Sequence, residues 1–242
     1  MNNLWIFGDS FSSTCFPHER SDNMKNYLNT IDSVDIKSWS ELLSEKLNYD
    51  LKNFAKGGNS NYQIFQDFCD QSQLIKENDI VVIGWGLIQK FRISQNNKFI
   101  NISPGNNSSH GTISKFTIDT MLENRSKFFE RKGKSRIDRW AFEVYGWETA
   151  IQVLSKNKKF KVFFWSTEEP RLIYCESDEC KSKKNYLCKE STKPLIIYLR
   201  ELGCLSMSDE TKNLIGDSHF GIKGHQLQSE IFYNEINKTE LI

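Results

Sequence analysis

Leu4-Trp5-Ile6-Phe7-Gly8-Asp9-Ser10 decides how this chain is read. Four apolar residues in a row stop at a glycine, the pattern of a buried strand that runs into a loop. Asp79-Ile80-Val81-Val82-Ile83-Gly84 repeats it with a β-branched run bounded by a turn residue. Leu51 to Ala55, ended by Gly57-Gly58, and Phe160 to Trp165 are two further strand candidates. Between them the apolar period changes to that of helices. Trp39, Leu42, Leu43 and Leu47 form one stripe, and Tyr62, Phe65, Phe68 or Cys69, and Ile75 a second. Trp140, Val144, Trp147, Ile151 and Leu154 form a third, and Ile222, Leu227, Ile231 and Ile236 suggest a closing helix. Strands alternating with helices imply right-handed βαβ units and an α/β fold, with a parallel sheet covered on both faces.

The segment 87–135 breaks the rhythm. It is polar, rich in Asn and Ser, and then basic. Phe91-Arg92-Ile93 and Phe99-Ile100-Asn101-Ile102, flanking Gln95-Asn96-Asn97, are placed to form a hairpin. A long insertion after a central strand is often a lid or a binding loop. No internal repeat and no second apolar pattern is visible, so 1–242 reads as one domain carrying that insertion.

The 242 residues are 38% hydrophobic, enough for a sizeable core. Lys+Arg number 32 against 31 Asp+Glu, a formal net charge of +1. Nothing global points to nucleic acid or to an anionic membrane as a partner. The local basic run Arg125, Lys127, Arg131, Lys132, Lys134, Arg136, Arg139 is interrupted by Glu130 and Asp138 and reads first as solvated surface, with an anionic ligand as the alternative. No apolar stretch approaches the roughly 20 residues that span a bilayer, and the amino terminus lacks a signal-peptide pattern. A cytoplasmic address is the expectation. Of the six cysteines, Cys15, Cys69 and Cys204 are isolated and read as small core residues. Cys175, Cys180 and Cys188 lie in a Lys-rich stretch without the paired short gaps of a zinc site, and read as a loop with free thiols or a local disulfide.

The chemistry gathers where strands end. Ligands of an open parallel sheet bind beyond the carboxyl ends of its strands. Gly8-Asp9-Ser10, Gly57-Gly58-Asn59-Ser60-Asn61 and Gly84-Trp85-Gly86 each follow an expected strand, and Asp217-Ser218-His219 precedes the last helix. A serine hydroxyl is a poor nucleophile alone; it becomes a good one when an imidazole takes its proton and a carboxylate orients that imidazole. Ser10, His219 and Asp217 are the three groups required. Each also has a plainer reading. Ser10 is a good cap for a helix starting near Phe11, and Asn59 and Ser60 for the helix after them. Gly57-Gly58 is a tight turn in either case. His225 competes with His219 as the base.

The chain resembles the SGNH, or GDSL, hydrolase superfamily. Phe7-Gly8-Asp9-Ser10-Phe11-Ser12 is similar to its first block, Asn53-Phe54-Ala55-Lys56-Gly57-Gly58 to its second, and Asp217-Ser218-His219-Phe220-Gly221-Ile222-Lys223-Gly224-His225 to its last. The resemblance implies a flavodoxin-like three-layer α/β/α sandwich. It implies Ser10 as nucleophile, His219 as base and Asp217 as its orienter, with the N–H groups of Ser10 and Gly58 as oxyanion donors. No metal or organic cofactor is required. The chain departs from the family at two places. The third block ends in Asn, a donor to the oxyanion, where this chain has Gly86; a backbone N–H near Gly86 or the Asn59 side chain are the candidate replacements. The Asp-x-x-His of the family is here Asp-x-His. Asn59, Trp85 and Arg92 are candidate substrate contacts, Trp85 as a wall for an acyl chain or sugar ring and Arg92 for an anionic group; Trp165 stands near another strand end.

The function so implied is hydrolysis of an O-acyl ester, such as a carbohydrate-linked O-acetyl group, through an acyl-enzyme. The partner is then a small-molecule or glycan ester. An O-acyltransferase on the same triad, or a degenerate site kept as a binding module, are the alternatives.

Overall fold

The computed structural model describes residues 2–14, 37–86, 136–166, 187, 195–204 and 219–240, together with the strands 91–95 and 98–102; for these two strands and for 136–142 and 239–240 it describes the backbone. The elements are β1 (Asn3–Phe7), α1 (Trp39–Leu47), β2 (Asp50–Asn53), α2 (Asn61–Gln71), β3 (Ile80–Trp85), β4 (Phe91–Gln95), β5 (Lys98–Ile102), α3 (Arg136–Lys158), β6 (Lys161–Ser166), α4 (Leu195–Glu201) and α5 (Ile222–Glu240).

Side chains alternate across a strand, and here both faces are apolar. Leu4 and Ile6 of β1, Ile80 and Val82 of β3, and Phe163 and Trp165 of β6 enter one core, against Trp39 and Leu43 of α1, Leu195 and Leu199 of α4, and Phe232 and Ile236 of α5. Trp5 and Phe7, Val81, Ile83 and Trp85, and Val162 and Phe164 enter the other, against Ile64 and Phe68 of α2 and Val144 and Ile151 of α3. An unbroken apolar run is what a strand covered on both faces requires. The result is the three-layer α/β/α arrangement implied by the sequence.

The central sheet has four strands in the order β2-β1-β3-β6, every pair parallel. The chain moves from β1 outward to β2, then crosses back over β1 to β3. That reversal is a topological switch point, and the crevice it opens lies beyond the carboxyl ends of β1 and β3. Gly8-Asp9-Ser10 and Gly86 stand at those two ends. β4 and β5 form a separate antiparallel pair, with Phe91 opposite Ile102, as the spacing of the two runs suggests. The rest of 103–135 lies outside the described residues, as do Cys15 and the Cys175, Cys180 and Cys188 cluster.

Four local expectations change. β2 ends at Asn53, short of Ala55, although Phe54 N still donates to Ile6 O at 2.8 Å. On α2 the core face is Ile64 and Phe68; Tyr62 is 55% exposed, and the helix stops before Ile75. Cys69 is exposed, unlike the buried Cys204. Partial burial and the Asp70 charge raise the Cys69 thiol, which therefore stays protonated at neutral pH. The short helix α4 has no counterpart in the sequence reading, because its seven residues, about two turns, are too few to show a period.

At the amino end of the sheet sits Asp79, 1% exposed. Its carboxylate accepts from Asn3 N at 2.8 Å, Trp5 Nε1 at 2.8 Å and Lys76 N at 3.0 Å, with the Asn3 amide added. Burial alone would raise this carboxyl. The hydrogen bonds from Lys76, Asn3 and Trp5 outweigh it and hold the group below its ordinary value.

Candidate active site

β1 delivers the chain to Gly8, where a Cβ would collide with the Ser12 side chain. The next residues fold into a turn, not a helix. Asp9 is buried and accepts from Phe11 N at 3.0 Å through Oδ1, while Ser12 N donates to Asp9 O at 3.0 Å. The Ser13 hydroxyl donates to Ser10 O at 3.0 Å. This small closed turn leaves the Ser10 side chain at its crest, partly exposed.

His219 Nε2 lies 2.7 Å from Ser10 Oγ, across a sequence separation of 209 residues. In the tautomer that carries its proton on Nδ1, Nε2 is free to accept the Ser10 hydroxyl hydrogen. The ring is held by packing. Phe11 stacks on it at 4.7 Å between centroids, and Phe11 meets Phe220 edge-on at 5.4 Å. Phe11 is itself tied down, its carbonyl accepting from Trp39 Nε1 at 2.9 Å. Behind His219, Gly221 N donates to Cys204 O at 2.9 Å, and Gly224 lets α5 approach that carbonyl so closely that no side chain would fit. Asp217 lies outside the described residues.

The two histidines have separate positions. His225 is buried, and its Nδ1 accepts from Trp39 N at 3.1 Å. It satisfies an amide in the first turn of α1, beside the N-cap Ser38, and is far from solvent. Of these two, only His219 meets Ser10.

The turn after β2 supplies main-chain donors. Lys56 N donates to Gly8 O at 3.2 Å, which brings the turn beside the Ser10 turn. Gly58 takes φ +81°, a left-handed conformation that a glycine adopts freely. The N–H groups of Ser10 and Gly58 make no hydrogen bond among the described residues. A partly exposed hydroxyl, an imidazole at hydrogen-bond distance and two unengaged amides in adjoining turns can together receive a carbonyl group.

The side chains around this centre are mostly engaged elsewhere. Asn59 is buried, and its Nδ2 donates to Gly8 O at 3.3 Å and Asp67 Oδ2 at 3.1 Å, which uses both amide hydrogens. Ser60 caps α2 by accepting from Gln63 N. Gly86 N donates to Asn61 Oδ1 at 2.8 Å, so the Asn59 amide and the Gly86 N–H are both engaged, while the N–H groups that follow Gly86 lie outside the described residues. Trp85 is a correction to the sequence reading: it is fully buried, gives its indole N–H to Glu148 at 2.9 Å, and is a core residue rather than a pocket wall. Trp165 is buried as well. Arg92 lies on β4, and its side chain is outside the described residues. Among the described residues no group of His, Cys, Asp and Glu could hold a metal ion.

Three contributors escaped the sequence. Asn53 donates to Ser12 O at 2.9 Å and Ser40 Oγ at 3.0 Å, and accepts from Ala55 N at 2.9 Å, binding the end of β2 to the Ser10 turn and to α1. It was visible as the first residue of the second block, but its partners were not. Phe11 and Asn61 stood inside quoted motifs with nothing to mark them.

No family model matches the chain, and no curated protein matches it in sequence. Among solved structures, protein YxiM from Bacillus subtilis is similar over 99% of this chain, at 13% identity and a TM-score of 0.46; the chain spans 57% of that protein's length. A G-D-S-L family protein from Desulfitobacterium hafniense, to which a lipolytic role is ascribed, is similar over 97% of this chain and 99% of its own, at 13% identity and a TM-score of 0.33. The chain's own sheet order, with helices on both faces and Gly8, Gly57 and Gly86 just beyond the carboxyl ends of β1, β2 and β3, makes it a three-layer α/β/α fold.

Proposed function

We propose that the chain is a serine hydrolase of esters. The observation that carries this reading is the 2.7 Å approach of His219 Nε2 to Ser10 Oγ. Ser10 attacks the ester carbonyl while His219 takes its proton. The oxyanion rests on the N–H groups of Ser10 and Gly58. His219 then returns the proton to the departing alcohol, leaving an acyl group on Ser10. Water, deprotonated by the same imidazole, releases the acid and restores the hydroxyl. Asp217 is assigned as the group that orients Nδ1–H. The substrate class is a short O-acyl ester, with an acyl group on a carbohydrate as the example to screen first.

With the Asn59 amide and the Gly86 N–H engaged, the oxyanion has two donors among the described residues. One lost donor costs about 10²–10³ in turnover, so a modest rate is expected. The test is covalent labelling by a fluorophosphonate, read by intact mass. One adduct on the wild type is expected, none on Ser10→Ala, and a rate about 10³-fold or more lower on His219→Ala. A folded wild type that takes no label would overturn the reading.

A further inference from the structure

Gly86, the residue just beyond β3, comes up against the Ser10 turn, and one side chain from another element holds it there. Asn61 Oδ1 accepts from Gly86 N at 2.8 Å, and Asn61 Nδ2 donates to Gly86 O at 3.2 Å. The carboxamide thus grips both main-chain groups of one residue, as a neighbouring strand would. Asn61 is 5% exposed. Gly86 in turn lies flush against Asp9: a Cβ there would stand 2.7 Å from Asp9 Oδ2 and 3.1 Å from its Cγ. Asp9 closes the turn through Phe11 N, and the Phe11 ring stacks on His219. A continuous contact path therefore runs from Asn61 through Gly86 and Asp9 to both members of the Ser10–His219 pair.

We propose that Asn61 is a positioning residue for the nucleophile: by holding Gly86 against Asp9 it sets the turn that presents Ser10 to His219. The proposal rests on the reading of Ser10 as nucleophile. It also gives a reason for glycine at position 86, whose side-chain space the Asp9 carboxylate fills. A helix start has no need of this residue. Ser60 already caps α2, and the first helical position accepts Ala or Asp as readily as Asn.

That difference supplies the test. Fluorophosphonate inactivation of the wild type, Asn61→Ala, Asn61→Asp and Gly86→Ala is followed over a range of probe concentrations, beside thermal unfolding of each and with Ser10→Ala as the unlabelled reference. Misplacing a reacting group by an ångström costs up to about 10²-fold. Asn61→Ala and Gly86→Ala should lower the limiting inactivation rate about tenfold or more, with the half-saturating probe concentration changed less than about twofold. Asn61→Asp keeps an acceptor for Gly86 N–H, loses the donor to Gly86 O, and should fall between. If Asn61→Ala does not fold, Asn61→Asp and Gly86→Ala decide. Folded variants that label at the wild-type rate would overturn the proposal and leave the hydrolase reading standing. A folded wild type that takes no label would overturn that reading, and the proposal with it.

Discussion

The two ends of the central sheet each bury a carboxylate, and they use it differently. At the amino end, Asp79 gathers N–H groups from the start of β1, from the indole of Trp5 and from the turn before β3. Every donor that faces it is engaged. At the carboxyl end, Asp9 is buried to the same degree and closes the turn it belongs to, while the N–H groups of Ser10 and Gly58 on either side make no hydrogen bond among the described residues. Buried polar groups without partners are costly, so a saturated cluster stabilises and an open one is retained only at a functional centre. The amino end joins strands; the carboxyl end holds the two N–H groups that the proposed mechanism uses.

Breaking the amino end should affect stability and leave labelling alone. Asp79→Ala strands two backbone N–H groups and the Trp5 indole, each worth about 1–3 kcal/mol when buried without a partner, so a loss of about 3 kcal/mol or more is expected by urea titration. The adduct formed per folded molecule should not change. The pH dependence has a definite sign. The folded Asp79 carboxyl is held below its unfolded value of about 3.9. Its contribution is therefore fully present above that value and is lost as the pH falls through the folded pKa. Asp79→Asn should flatten this acid arm of the stability curve. An unaltered acid arm would show that other carboxylates dominate it.

The paired histidines sharpen the same contrast at a smaller scale. His225→Ala removes the acceptor for Trp39 N, a buried amide in the first turn of α1. About 1–2 kcal/mol should be lost in thermal unfolding, with labelling retained. His219→Ala should do the reverse. If His225→Ala abolished labelling in a folded protein, the assignment of the base would have to change.

The smallest effect is expected at Gly58. A Cβ there meets nothing within 4 Å, so the cost of Gly58→Ala is that of φ +81° alone, about 1 kcal/mol. If the turn relaxes to relieve it, the Gly58 N–H swings away. The limiting labelling rate should then fall by more than the stability change explains. Unchanged labelling would argue that this amide is not an oxyanion donor.

Much of the fold was legible because a strand covered on both faces needs an unbroken apolar run, and Leu4–Phe7 and Ile80–Ile83 have one. Tyr62 was misread because its period fits the α2 stripe while the helix turns Ile64 and Phe68 inward. Trp85 was misread because its motif ends a strand, where a side chain can face solvent or core; Glu148, distant in sequence, draws it inward.

The sequence alone determined the alternation of elements, the parallel sheet and the turns that would carry chemistry. These follow from local periodicity and from glycines, which a linear reading contains. Only the tertiary structure decided which histidine meets Ser10 and that the Asn59 amide and the Gly86 N–H are already engaged. It alone seated Asn61 and Asp9 on either side of Gly86. Those outcomes depend on distances of about 3 Å between residues far apart in the chain. Such distances are set by how helices pack on a sheet, and no local pattern encodes them.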